Sequence, residues 1–163
     1  MLPEAGTRAR LADGADVSPV APRARAQLHA SCVALGGLGV VLRGPPASGK
    51  SDLALRLIDA GGRLVADDRL LVERCGEQLI GRAPEALAGL IEVRGLGIMR
   101  VEHCPRAPLG LVVELDQAAS WPRLPEPMTH GLLGVALRCC RLDPRAPSAC
   151  AKIKLALAAE RVA

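Results

Sequence analysis

The chain has 163 residues, of which 50% are hydrophobic and only 1% aromatic, with a formal net charge of +4. That length suits one domain with a sizeable core, and with Trp121 as the single aromatic the core must be built from Leu, Val, Ile and Ala. The same lack speaks against single-stranded nucleic-acid binding, which uses aromatic stacking platforms. A positive charge made of scattered arginines is better explained by a solvated surface than by an acidic partner.

In chain order, residues 1–26 are rich in Ala, Arg and Pro and lack the continuous apolar centre of a secretory signal. They read as a disordered tail, with the folded domain expected over 27–163. Short apolar runs predict strands at 28–35 and 39–43, then a helix over 50–60, where Leu53, Ala54, Leu57 and Ile58 recur at helical spacing before Gly61-Gly62. Further strands are expected at 63–67, 69–74, 77–82, 90–94, 98–103, 109–115 and 132–141, with a short turn at 84–88 and a final helix at 148–161. Prolines cluster at 105–108, 122–127 and 144–147 and mark connections. One loop-bearing helix among many strands predicts an α/β domain on a β-rich sheet, without the regular alternation of a doubly wound fold. No segment is long and apolar enough to cross a membrane. The cysteines Cys32, Cys75, Cys104, Cys139, Cys140 and Cys150 form no C-x-x-C pair and read as small core residues of a reducing, cytoplasmic protein.

Between the second strand and the first helix stands GPPASGKSD, residues Gly44, Pro45, Pro46, Ala47, Ser48, Gly49, Lys50, Ser51 and Asp52. It meets the phosphate-loop pattern G-x-x-x-x-G-K-[ST], with a strand before and a helix after as the mechanism requires. Backbone N–H groups and the helix dipole would favour a phosphate there. Lys50 would add a charge on the β/γ-phosphates and the Ser51 hydroxyl a position on Mg²⁺. The next strand, RLVADD, ends in Asp67 and Asp68. Such a pair can divide the work between metal and proton acceptance, or be no more than a polar turn; the residues by themselves leave the two readings even.

Several pieces in order resemble the HPr kinase/phosphorylase family: His29-Ala30-Ser31, the run Gly37 to Val40 leading into the loop, GGRLVADDRL, and LIEVRGLGIM from Leu90 to Met99. The likeness spans residues 27–115, and the last run is close to that family's own signature. It implies a P-loop-containing, β-rich α/β domain of the HPr kinase/phosphoenolpyruvate carboxykinase-like type. The implied activity is an ATP- and Mg²⁺-dependent kinase for a serine of the phosphocarrier protein HPr, with reverse phosphorolysis by inorganic phosphate in complete members. By the same resemblance Asp67 is the catalytic acid–base, His29 supports it, Arg94 serves the phosphorylase direction, and Ser51, Asp68 and Glu92 lie at the metal. Without the family, His29 would read as an ordinary strand histidine, and Glu92 and Arg94 as a strand's polar face or an ion pair.

The departures are specific. Asp52 stands where the family usually has Glu, nothing before Gln27 resembles the extra N-terminal domain of complete members, and the later arginine-bearing loop finds only Arg141 and Arg145 as nearest candidates. The family's hexamer, through which a homo-oligomer is implied, depends in part on a longer C-terminal end. Two other readings therefore accompany the kinase: a nucleotide-sensing module of a phosphotransferase or two-component system, and a kinase of the same fold acting on a small molecule.

Overall fold

The computed structural model describes residues 23–117 and 121–162. Residues 1–22 of the expected tail lie outside the described residues, and Arg25 and Ala26 already belong to the first strand, ahead of the expected start at Gln27. In chain order the elements are β1 (Arg25–Leu28), β2 (Ser31–Leu35), β3 (Leu38–Arg43), α1 (Lys50–Asp59), β4 (Arg63–Ala66), β5 (Leu70–Cys75) and β6 (Gln78–Arg82). A single 3-10 turn (Glu85–Leu87) leads to β7 (Leu90–Val93), β8 (Gly97–Arg100), β9 (Ala107–Leu115), β10 (Met128–Leu132), β11 (Val135–Leu142) and α2 (Ala149–Ala158).

Two expected strands differ from the structure. The run 28–35 is not one strand: β1 pairs with β5, whereas β2 pairs with β3 and β4. The chain changes partners at His29 and Ala30, where the Ala30 N–H donates to the Asp68 carbonyl at 3.2 Å. Alternation along a sequence records which face a residue occupies and not which neighbour it pairs with, so the break was invisible. The single strand expected at 132–141 is likewise the second arm of a hairpin, whose first arm β10 follows the prolines directly. Its turn is Leu133-Gly134, with φ of 50° and 78°. Both positive values suit a tight antiparallel turn, but Leu at the first position gave no Asn-Gly or Asp-Gly signal.

Among the described residues nine strands form one sheet in the order β1-β5-β6-β9-β3-β2-β4, with β11 also on β9 and β10 beyond it. The long β9 is the hub. Its first residues pair with β6, at Ala107 and Pro108, and its last four with β11 in parallel, while β3 runs parallel along its other side. Both faces of the β3–β9 centre are buried, which explains its uninterrupted apolar runs. Val40, Leu42, Leu111 and Val113 point to the side covered by Leu53 and Leu57 of α1 and Ile153 of α2. Val41 and Val112 point the other way, onto Val72, Leu79 and Leu137. The two helices are locked together by polar contacts: Lys154 Nζ donates to the Ala60 carbonyl at 2.8 Å, at the negative end of α1, and the Arg56 guanidinium donates to the Pro144 and Ala146 carbonyls ahead of α2.

Candidate active site

The parallel strands β3 and β9 end side by side, and the loop leaving β3 is GPPASGKS. Its curvature is set by backbone that only some residues tolerate. Gly49, the residue before α1, has φ of 95°, and no side chain caps the helix there. The first-turn N–H groups of α1 thus lack a capping side chain, which is the arrangement that receives an anion. Gly44 is required for a different reason, since a Cβ there would come within 2.5 Å of Ser48 Oγ. Lys50 folds back across the loop, its Nζ donating to the Gly44 and Pro45 carbonyls at 3.0 and 3.1 Å.

The centre of the site is the Asp67 carboxylate, at the end of β4. Its Oδ1 accepts from the Ser51 hydroxyl at 2.8 Å and from the Ser31 hydroxyl at 2.9 Å, and its Oδ2 accepts from the Glu92 backbone N–H at 3.0 Å. Four elements thus converge on one side chain: β2, β4, α1 and β7. Asp68 behaves differently. Its side chain is exposed, its φ is 63°, a conformation Asp tolerates better than most residues, and its backbone N–H reaches Ser31 Oγ at 3.4 Å.

The remaining expected residues fall around this centre. Glu92 and Arg94 are exposed and line a cleft of about 450 Å³ together with Lys50, Ser51 and Asp52. Arg94 sits in the turn after β7, and among the described residues it makes no ion pair with Glu92. His29 is exposed in the bend before β2 and makes no side-chain bond to Asp67; that contact is made by Ser31, two positions on. Ser31 carries no role in the sequence reading, although a serine within the apolar run ASCVAL was a usable signal: it is wholly buried, and a buried hydroxyl needs a partner. Of the two arginines nearest to the family's later loop, Arg145 is drawn back onto Asp143 at 3.3 Å, whereas Arg141 faces a second cleft beside the loop. The backbone N–H and guanidinium of Arg145 hold the Asp143 carboxyl below its ordinary range.

That second cleft, about 630 Å³, is framed by Pro45 to Ser48, the ends of β9 and β11, and β10. Its floor carries a cluster absent from the sequence reading: Arg43 donates to Glu114 Oε1 at 2.9 Å and contacts His130 Nδ1 at 3.0 Å. Only β10, the unexpected strand, brings His130 there.

Among the described residues no group of three His, Cys, Asp or Glu side chains converges as a metal cage. The Ser51–Asp67 pair nevertheless offers hard oxygen donors beside a phosphate loop, the type of site Mg²⁺ uses when substrate phosphates and water complete its shell.

The model of the HPr serine kinase C-terminal domain matches residues 21–117. The HPr kinase/phosphorylase of Clostridium beijerinckii is 45% identical over 82 residues, covering 50% of this chain and 26% of that protein. The protein of the same description from Limosilactobacillus reuteri is 40% identical over 100 residues, covering 56% of this chain and 31% of that one. The matched stretch therefore spans about a quarter to a third of these relatives' length. Among solved structures, the Hpr(Ser) kinase/phosphatase from Coxiella burnetii has a TM-score of 0.70 at 27% identity, over 79% of this chain and 91% of that one. The β-rich α/β architecture expected from the sequence is thereby shown.

Proposed function

Because this chain belongs to the HPr serine kinase C-terminal domain family, we propose that it is an ATP-dependent protein kinase that phosphorylates a seryl hydroxyl of an HPr-type phosphocarrier protein. The observation that carries this reading is the triply held Asp67 carboxylate, bonded to the hydroxyl of Ser51 in the phosphate loop. Phosphoryl transfer needs aligned groups and neutralised charge more than covalent chemistry.

In the forward direction Lys50 exchanges the Gly44 and Pro45 carbonyls for the β/γ-phosphates, and the loop N–H groups hold the phosphate oxygens. Asp67 accepts the seryl proton as the seryl oxygen bonds to the γ-phosphorus and the bond from that phosphorus to the β,γ-bridging oxygen breaks, leaving ADP. In reverse, Asp67 takes a proton from inorganic phosphate as its oxygen bonds to the phosphoserine phosphorus and the bond from that phosphorus to the seryl oxygen breaks, giving pyrophosphate and a seryl oxygen that is then protonated by Asp67. Ser31 and the Glu92 N–H fix the carboxylate's direction, so it need not reorient during the reaction. Ser51 with Asp67, and Asp68 and Glu92 beside them, would hold Mg²⁺, which when bound supplies charge neutralisation at the phosphates. Arg94 lines the same cleft as Lys50 and adds a second cation on the acceptor side. His29, exposed two positions before Ser31, keeps the role the family resemblance implies, support of Asp67, which requires its side chain to turn toward the carboxylate when the site is occupied.

Purified chain incubated with Mg²⁺-ATP and HPr should yield HPr heavier by one phosphate in intact-mass analysis, and Lys50→Ala should not. HPr left unmodified by a chain that binds ATP would move the assignment to a nucleotide sensor, or to a small-molecule kinase if a hydroxyl compound takes the phosphate instead.

A further inference from the structure

Away from both clefts, the β1-β5-β6 end of the sheet carries a cluster of like charge on its outer face. Val72 of β5, Leu79 of β6 and Ala107 of β9 point into the core, so the alternate residues Leu71, Glu73, Ile80 and Arg82 stand on the opposite face. Register sets their neighbours. Glu73 lies between Arg25 of β1 and Ile80 of β6, and Leu71 is opposite Arg82. β6 meets β9 at Ile80–Pro108 and Gly81–Ala107, and the next step along the same pair brings Arg106 up to Arg82. Arg25, Arg82 and Arg106 thus rim a hollow of about 230 Å³ over Leu71 and Ile80.

Like charges opposite one another on paired strands are destabilising, and no carboxylate offsets these. Among the described residues none of the three guanidinium groups makes an ion pair or a side-chain hydrogen bond. Glu73, the acid lining the hollow, is taken by Arg23 at 3.3 Å. Arg82 is moreover half-buried, so water and salt screen it less than the exposed Arg25 and Arg106. An anion seated between Arg82 and Arg106 removes that repulsion. Each guanidinium offers a planar fork of N–H groups that matches two oxygens of an oxyanion. Two forks side by side suit a group with more than two oxygens and two negative charges, which a phosphate has and a single carboxylate lacks. The hollow is smaller than the clefts that take drug-sized ligands, which selects a compact group.

We propose that this hollow is an anion site separate from the phosphate loop, in which Arg82 and Arg106 hold a dianionic phosphate group, free or carried by a small phosphomonoester, while Arg25 faces it from across β5. The site stands independently of the kinase reading, because none of its residues lines either cleft.

The test is a titration of the ¹⁵N-labelled full chain followed by its amide resonances, once with inorganic phosphate and once with methyl phosphate, at an ionic strength held constant with sodium chloride. The amides of Gly81, Arg82 and Ala107 should shift saturably, with a Kd of about 1 mM or tighter. The shifts should persist in Lys50→Ala, which disables the phosphate loop. In the double variant Arg82→Gln/Arg106→Gln the affinity should fall about tenfold or more, with the rest of the spectrum unchanged as the sign that it folds. A response to both probes assigns the site to a phosphomonoester as well as to free phosphate, and a response to inorganic phosphate alone assigns it to the free ion. No saturable shift at these amides with either probe overturns the site, as does full affinity in the double variant. Shifts that vanish in Lys50→Ala overturn it too, by tracing them to the phosphate loop.

Discussion

At the scale of single residues, Asp67 is where the proposed chemistry and the structure of the site depend most on one side chain. Asp67→Asn keeps the shape and can still accept from Ser51 and Ser31, but it loses the basic oxygen pair. Transfer should fall by about 10²–10⁴-fold while ATP binding persists; single-turnover phosphorylation and a nucleotide-binding titration on the same preparation separate the two, and an unchanged transfer rate would remove the acid–base role. A second residue carries strain. Ala47 stands at φ 61° in the loop, a region that costs an L side chain about 1–2 kcal/mol. Ala47→Gly relieves this against an entropic loss of about 0.5–1 kcal/mol, so the net expectation is a gain of about 0.5–1 kcal/mol in urea unfolding. The positions of the loop glycines, Lys50, Ser51 and Asp67 were legible because a contiguous motif constrains its own backbone. Ser31 was not, because its partner lies 36 residues away.

At the scale of elements, α1 is held against the sheet at a narrow approach. Gly62, just past its end, lies so close to β2 that a Cβ would meet Val33 Cγ1 at 2.6 Å and the Leu57 carbonyl at 2.9 Å. Gly62→Ala should therefore cost about 1–3 kcal/mol by overpacking, read as a lower urea midpoint with an unchanged slope. Since α1 also carries Lys50 and Ser51, the displaced helix should weaken ATP binding as well. The helices and most strands followed from periodicity, with ends shifted by up to three residues, as at the close of α2 and of β8. The failures were of partner and turn: β1 and β2 read as one strand, and β10 read as a loop. At β1 the deciding contact is made with a distant strand, Leu28 with Leu70, whereas at β10 it is made within a hairpin, Met128 with Cys139, across a Leu133-Gly134 turn that carries no turn signal.

For the whole molecule, the cysteines set a pH dependence. Cys32 is buried in the sheet and the other five are half-buried, so only Cys32 is a core residue in the full sense expected of the set. Burial pushes the Cys32 thiol far above its ordinary value, and burial with the neighbouring Cys139 pushes Cys140 up to about 11. A thiol raised in the folded state contributes stability that is intact below the unfolded value near 9.0 and is lost as pH rises above it, through about 11 for Cys140. The urea midpoint should hold level from pH 7 to 8.5 and then drop toward pH 10.5, and Cys140→Ala should shrink the drop. An equal drop in the variant would rule Cys140 out as a source.

The sequence by itself determined the glycine-rich loop with its phosphate-loop pattern, the helix behind it, the acid pair and the β-rich α/β class, because each is encoded by neighbours a few residues apart through steric and hydrogen-bond rules. Only the tertiary structure decided how they are joined. Asp67 acquires its direction from hydroxyls on β2 and α1 and a backbone N–H on β7. The Arg43–Glu114–His130 cluster forms because β9 pairs with β3 on one side and β11 on the other, and β11 carries β10 with His130 beside them. Strand order is set by which buried faces pack best over the whole chain, and no local window of sequence contains that comparison.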